Sequence, residues 1–340
     1  MLLKEVGEFG FIKKISRGCL IRPQNILKSI GDDAAAFFVN PGDVTLVTTD
    51  LLIDRVHFLR DRTSGFNLGY KSLSVNLSDI AAMGGVAREA FVSIAIPGDC
   101  EIDYLDKVYR GMKSLAGECG VNILGGDTTS SKVDLVINIT VIGSVLEKEM
   151  LCRNGARHGD TIFLTGFLGD SQAGLHLLLE NTPEASKGLE ELINAHTLPK
   201  PFLREGQFLA RQRCVHAAID ISDGLGSDLG HIIEQSNVGA RIYHEKIPVS
   251  KNLAKFCAHF RLDPFNYAFA GGEDYVLLCT VPSDEAKRLA KNYSKKFNQP
   301  LYPIGKITDS GKIELVQANG QIREVEPSGW DHFKTVNKSE

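Results

Sequence analysis

Asp, Ser and Thr recur beside glycine along this 340-residue chain, and those residue types suit the handling of phosphate and hard cations. The densest instance is Ala218 to Asp228, reading AIDISDGLGSD. Val215 to Ile219 reads as a short strand that delivers Asp220 to its end. Ser222 or Asp223 is then expected to cap a helix starting near Gly224. Two carboxylates and a hydroxyl at a strand-to-helix junction suit a phosphate or a phosphate-bound cation. The same types recur in Gly31-Asp32-Asp33, Thr48-Thr49-Asp50, Asp79, Gly125-Gly126-Asp127-Thr128-Thr129 and Gly271-Gly272-Glu273. Each alone is an ordinary turn or cap. Taken together, each beside a strong strand or on the polar face of a strong helix, they point to one converging set. Like charges a few ångströms apart repel by about 4 kcal/mol per pair at an effective dielectric of 20, so such a set needs cations. Oxygen donors without Cys or paired His select Mg²⁺ or Ca²⁺. The Ca²⁺ loop pattern of the EF-hand is absent, and Mg²⁺ shared with substrate phosphates fits better.

The elements that must position these residues follow from periodicity. Val44 to Thr48 reads as a buried strand ending in Thr48-Thr49-Asp50. Leu68 to Met83 reads as a helix with an apolar stripe of Tyr70, Leu73, Leu77 and Ile80, and with Ser72, Asn76 and Asp79 on another face. Asp79 falls in its last turn, where the helix dipole disfavours an anion by a few tenths of a kcal/mol, roughly. A strand at Phe91 to Ile96, a helix from Ile102 to Cys119 and a strand at Val121 to Leu124 lead into GGDTT. Val133 to Val145 is β-rich. The second half repeats the mixture, with strands at 161–165, 215–219 and 275–281 and helices near 170–180, 201–212, 252–259 and 284–294. The fold class is therefore α/β (α+β) in two mixed domains, with a boundary that separates 1–148 from 149–340.

Composition excludes several classes of function. A net charge of −4 and a pI near 6.2 give no basic field for nucleic acid. The seven cysteines are scattered, odd in number and form no Cys-x-x-Cys, which favours reduced thiols in a cytoplasmic protein. Glu5 and Glu8 interrupt any apolar core near the start, arguing against a signal peptide. No apolar run approaches the roughly 20 residues that span a bilayer. The P-loop pattern fails as well. Gly305 to Lys312 has one residue too many between its glycines, and Ile313 stands where Ser or Thr is required.

GDDAA (31–35), TTD (48–50) with His57, NLSDIAAMGG (76–85), GGDTT (125–129), IDISDGLGSDLGHI (219–232), GGEDY (271–275) and GWDHF (329–333) resemble, in order, the motifs of the thiamine-monophosphate kinase family. Its superfamily includes aminoimidazole ribonucleotide synthetase, selenophosphate synthetase and the hydrogenase maturation dehydratase. The resemblance spans nearly the whole chain. It implies transfer of the ATP γ-phosphoryl group to thiamine monophosphate, and a homodimer with paired N-terminal sheets. The N-terminal domain would bind ATP and Mg²⁺ and the C-terminal domain would complete the nucleotide and substrate site. By motif, Asp33, Thr48, Thr49, Asp50, Asp79, Asp127, Asp220 and Asp223 would hold Mg²⁺. Tyr109, Gly126, Asp127, Arg153 and Ser222 would meet the nucleotide, and His57, Glu273 and Trp330 the thiamine phosphate. No general base is expected. The alternatives are another ATP-dependent enzyme of the superfamily, or a non-catalytic Mg²⁺ or nucleotide-binding protein. Cys19 lacks the glycine-rich setting of a selenophosphate synthetase cysteine, and Trp330 to Glu340 has no terminal cysteine of the hydrogenase maturation type.

Overall fold

The computed structural model describes residues 8–30, 34–180 and 187–330. The chain forms two compact units. The first holds Met1–Met150 together with Thr197–Arg213, and the second holds Leu151–His196 together with Cys214–Glu340.

The first unit begins with α1 (Glu8–Ile15) and a ribbon of β1 (Ile26–Lys28) and β2 (Ala36–Phe37). Its main sheet has the order β3 (Asp43–Ile53), β6 (Val136–Leu146), β4 (Val86–Pro97), β5 (Asn122–Ser131). The β4–β5 pair is parallel and the other pairs are antiparallel. Helices α2 (Gly65–Ala82) and α3 (Ile102–Cys119) pack on each other, and α2 lies against β3, β6 and β4. Ser64 caps α2 by accepting the Asn67 N–H at 3.1 Å.

Alternation along β3 fixes which side chains meet the helices. Leu46 and Leu52 are buried while Val47 and Leu51 are 64% and 47% exposed, so the even-numbered residues face inward. β3 does not end at Thr48 as the sequence suggests, because its backbone ladder with β6 runs unbroken from Asp43 to Ile53. Thr48, Thr49 and Asp50 therefore lie within a strand. Asp127 likewise lies inside β5. Ladder hydrogen bonds use only the backbone, so polar side chains do not stop the pairing.

The segment 197–213 returns to the first unit, unlike the single boundary read from composition. Helix α6 (Leu203–Arg211) packs on α2, Ser74 Oγ donates to the Pro199 carbonyl at 2.6 Å, and Asn67 Nδ2 donates to Thr197 Oγ1 at 3.1 Å. The buried Ser74 and the half-buried Asn67 of α2 thus find their partners in a distant stretch of sequence.

The second unit is a seven-stranded sheet of order β13 (Ile322–Val325), β12 (Ile313–Val316), β9 (Gly239–Tyr243), β11 (Tyr302–Thr308), β7 (Thr161–Leu164), β10 (Leu277–Val281), β8 (Ala217–Asp220). Only the β12–β9 pair is parallel among these strands. Its helices are α4 (Asp170–Glu180), α5 (Glu190–Thr197), α7 (Leu225–Ser236), α8 (Lys251–Phe260), α9 (Pro264–Ala270) and α10 (Ser283–Phe297). β8 is an edge strand, buried along its length, and it ends at Asp220. Both units mix helices with sheet, as the periodicity predicts.

Candidate active site

In the first unit Thr48 Oγ donates a hydrogen bond to Asp79 Oδ2 across the β3–α2 interface. This donor offsets the cost of an anion in the last turn of α2. Asp50 shares the helix-facing side of β3 with Thr48. Thr49 points the other way, where its hydroxyl accepts from Asn138 Nδ2 at 3.0 Å and lies 3.1 Å from Thr140 Oγ1. The Thr49 hydroxyl and the Asp50 carboxylate are therefore on opposite faces of the sheet.

Gly126 sits at φ 145°, and a Cβ there would come 1.8 Å from the Val92 carbonyl oxygen, so only glycine lets β5 pass this close to β4. Asp127 beside it is exposed, with Oδ1 accepting the Thr128 N–H at 2.9 Å. His57 Nδ1 accepts the Ile53 N–H at 3.0 Å, which leaves the proton of the neutral ring on Nε2. Tyr109 departs from expectation. It is 3% exposed, with its ring edge-on to Phe11 at 5.8 Å, and burial pushes its phenol upward in pKa. An apolar flank of α3 facing α1 explains this: the ring serves the core and reaches no open surface. Asp33 and Asp32 lie outside the described residues.

The second unit gathers its set within one loop. Asp220 is 3% exposed at the end of β8. Neither Ser222 nor Asp223 caps α7. Gly224 occupies that position at φ 119°, and the carboxylate of Asp228, in the first turn of α7, reaches back instead. Its Oδ2 accepts the N–H groups of Ser222, Asp223 and Gly224 at 3.0, 3.1 and 3.1 Å. Burial, then the nearby charges of Asp220 and Asp223, push the Asp228 carboxyl up to about 8. Ligand atoms of Asp223, Asp228 and His231 all lie within 4.8 Å of one another.

The same loop contacts two further expected residues. The Glu273 N–H donates to the Ser222 carbonyl at 2.7 Å, and the Trp330 N–H donates to the Asp223 carbonyl at 2.9 Å. Glu273 adopts φ 64°, a left-handed conformation uncommon for a non-glycine residue. Its carboxylate lies 3.2 Å from Nδ1 of the buried His196, which is also 3.1 Å from Ser171 Oγ. Trp330 is 54% exposed. Arg153 is not part of this group. Its carbonyl accepts from Ser236 Oγ at 3.3 Å at the C-terminal end of α7, while Asp223 precedes the other end. Twelve helical residues separate the ends by about 18 Å.

Asp228, His231, His196 and Asn76 are the residues that motif reading did not assign. Asp228 had a local signal, an acid in the first turn after a glycine-rich loop. His196 had none, because a fold contact joins it to Glu273. The carboxylate and hydroxyl oxygens among these donors fit a magnesium ion; His231 adds one nitrogen and no cysteine is among them. Asn76 Oδ1, on the turn before Asp79, is also a buried acceptor with no hydrogen-bond partner among the described residues.

Two family profiles match the chain. "AIR synthase related protein, N-terminal domain" covers residues 31–145 and "AIR synthase related protein, C-terminal domain" covers 157–317. The thiamine-monophosphate kinase of Aquifex aeolicus is 35% identical over 336 residues, 98% of this chain and 100% of the relative. The chain belongs to the thiamine-monophosphate kinase family. The crystal structure of the family member from Stenotrophomonas maltophilia superposes with a TM-score of 0.82 at 32% identity, covering 93% of this chain and 98% of that one. A structure described as AaThiL complexed with AMPPCP and TMP matches with a TM-score of 0.77 at 33% identity, over 98% and 99% of the two chains. Since these matches run end to end, the thiamine-monophosphate kinase family accounts for both units.

Proposed function

We propose that the chain is an ATP-dependent kinase that phosphorylates thiamine monophosphate to thiamine diphosphate by direct, in-line, Mg²⁺-assisted transfer. The observation that carries this reading is the loop of Asp220, Ser222 and Asp223, clamped by Asp228 and touched by Glu273 and Trp330. It presents acids beside an aromatic side chain. The transfer needs no general base, because the acceptor is a phosphate whose second pKa near 6 leaves it mostly dianionic at neutral pH.

Asp50, Asp79 and Asp127 of the first unit and Asp220 and Asp223 of the second would hold the ions, with Asp33 and the Thr48 and Thr49 oxygens completing the proposed set. Bound Mg²⁺ supplies the charge neutralisation that lets two phosphate anions approach in line. Ser222 and Gly126 meet the nucleotide through backbone that glycine keeps accessible. Glu273 and His57 hold the thiamine phosphate, and Trp330 stacks on a ring of the thiamine. Tyr109 and Arg153 contribute least to this reading, given the core position of one and the remote attachment of the other.

The reading extends to a cytoplasmic homodimer. The outer face of the four-stranded sheet carries the exposed Val47 and Leu51 together with the half-buried Phe91 and Ile142. An apolar face of this kind suits a second copy of the same sheet. Val47→Lys with Leu51→Lys is expected to give the monomer mass by light scattering, and an unchanged dimer mass would remove this face from the interface. For the activity itself, purified protein with ATP and Mg²⁺ is expected to convert thiamine monophosphate to the diphosphate, read by chromatography beside an active reference enzyme. Absence of product would refute the reading.

A further inference from the structure

Asn76 lies in the middle of α2 and is 0% exposed. Its Nδ2 donates back to the Ser72 carbonyl at 3.2 Å, while Oδ1 has no hydrogen-bond partner among the described residues. The orientation is fixed, because exchanging oxygen and nitrogen would set two acceptors against each other. A buried amide oxygen left without a donor is destabilising, so such a group in a folded protein calls for an ion, a water or a ligand that supplies one.

The surroundings say which. Asn76 is three residues before Asp79, hence on a neighbouring face of the helix. β3 runs antiparallel to α2, since Leu46 packs at Gly85 beyond the helix end and Thr48 bonds Asp79 in the last turn. Two further strand residues advance about 6.6 Å and one helical turn about 5.4 Å. This course carries Asp50, on the helix-facing side, alongside the turn of Asn76. Asn76 thus falls on the stretch of α2 that holds Asp79 and runs alongside Thr48 and Asp50.

We propose that Asn76 is a positioning residue for a hydrated divalent cation at Asp50 and Asp79, its Oδ1 accepting a hydrogen bond from a water in the ion's shell. Mg²⁺ keeps several of its waters, and these are strong donors. Asn76 does not touch the ion. It orients a water that does, as outer partners do at other metal sites. The inference rests on the kinase reading for the presence of the ion, and extends it to a residue that the ligand set leaves out.

The test is the thermal midpoint of the full-length protein titrated with MgCl₂ in the presence of a non-hydrolysable ATP analogue. Wild type is expected to gain stability with Mg²⁺. Asn76→Leu, of similar shape, is expected to melt at or above the wild-type midpoint without Mg²⁺, because the unpaired acceptor is gone. Its half-saturating Mg²⁺ concentration should rise roughly 10- to 100-fold. If Leu prevents folding, Asn76→Ala, which leaves room for water, is expected to move half-saturation the same way. An unchanged half-saturation in the folded variant overturns the proposal, as does a lower ion-free midpoint with an intact Mg²⁺ response, which would mark Asn76 as merely structural. A wild type that gives no response to Mg²⁺ with the analogue would overturn the kinase reading itself.

Discussion

In the first unit Thr48 and Asp79 meet across a strand–helix interface, and Asp50 shares the helix-facing side of β3 with Thr48. In the second unit Asp220, Asp223 and Asp228 lie within nine residues, and one buried carboxylate takes three backbone N–H groups to hold the others in place. The first arrangement depends on tertiary packing and on hydroxyl and amide partners. The second depends on a local backbone clamp. Carboxylates can thus be aimed at a cation either by sheet register or by loop conformation. The two solutions should fail differently when broken.

The largest effect is expected where a ligand itself is lost. Asp79→Asn and Asp223→Asn should each lower turnover by more than about 100-fold, beyond the 10- to 100-fold typical of outer partners. Both should leave thermal stability near or above wild type, because a repelling charge has been removed. Unchanged turnover in one of them would confine the metal site to the other unit.

Next comes Asp228→Ala. Loss of the acceptor for three N–H groups should cost about 1–3 kcal/mol of stability and about 10- to 100-fold in turnover, read by denaturant unfolding and steady-state kinetics. Full turnover in this variant would show that the clamp does not aim Asp220 and Asp223. Thr48→Val should behave differently, costing about 10-fold in turnover with little change in unfolding midpoint. A large loss of stability there would erase the proposed contrast between the units.

The smallest effect concerns pH. Asp274 is half-buried, its carboxylate accepting the N–H groups of Gly169 and Ser171 at 2.6 and 3.2 Å. Burial pushes its pKa up to about 8. The folded protein therefore holds a proton on this group that the unfolded chain has released above about pH 4. Stability from Asp274 is present at low pH and is lost as pH rises through about 8. Asp274→Asn should flatten the decline in thermal midpoint between pH 5 and 8.5. An equally steep decline in the variant would assign it to other groups.

What was legible in the sequence follows the same division. The strand delivering Asp220, the glycine-rich turn and the helix after it are all local, and the structure places them within two residues of the expected bounds. The cap differs because first-turn Asp228 competes with Ser222 and Asp223 for the same N–H groups. Periodicity located α2 and α3 and put Asp79 in a last turn. It could not show that Thr48 and Thr49 face opposite sides of one sheet, because the strand was expected to end there. The contact of His196 with Glu273, the return of 197–213 to the first unit and the burial of Tyr109 under Phe11 all join distant segments. No local pattern encodes such pairings.

The central claim is that these acids let two phosphates react directly, with no phosphorylated residue between them. The most direct measurement is the stereochemical course of transfer from ATP made chiral at the γ-phosphorus with oxygen and sulfur isotopic labels. Direct in-line displacement predicts inversion of configuration in the thiamine diphosphate formed. Retention would require two displacements through an enzyme-bound phosphoryl group and would contradict the account.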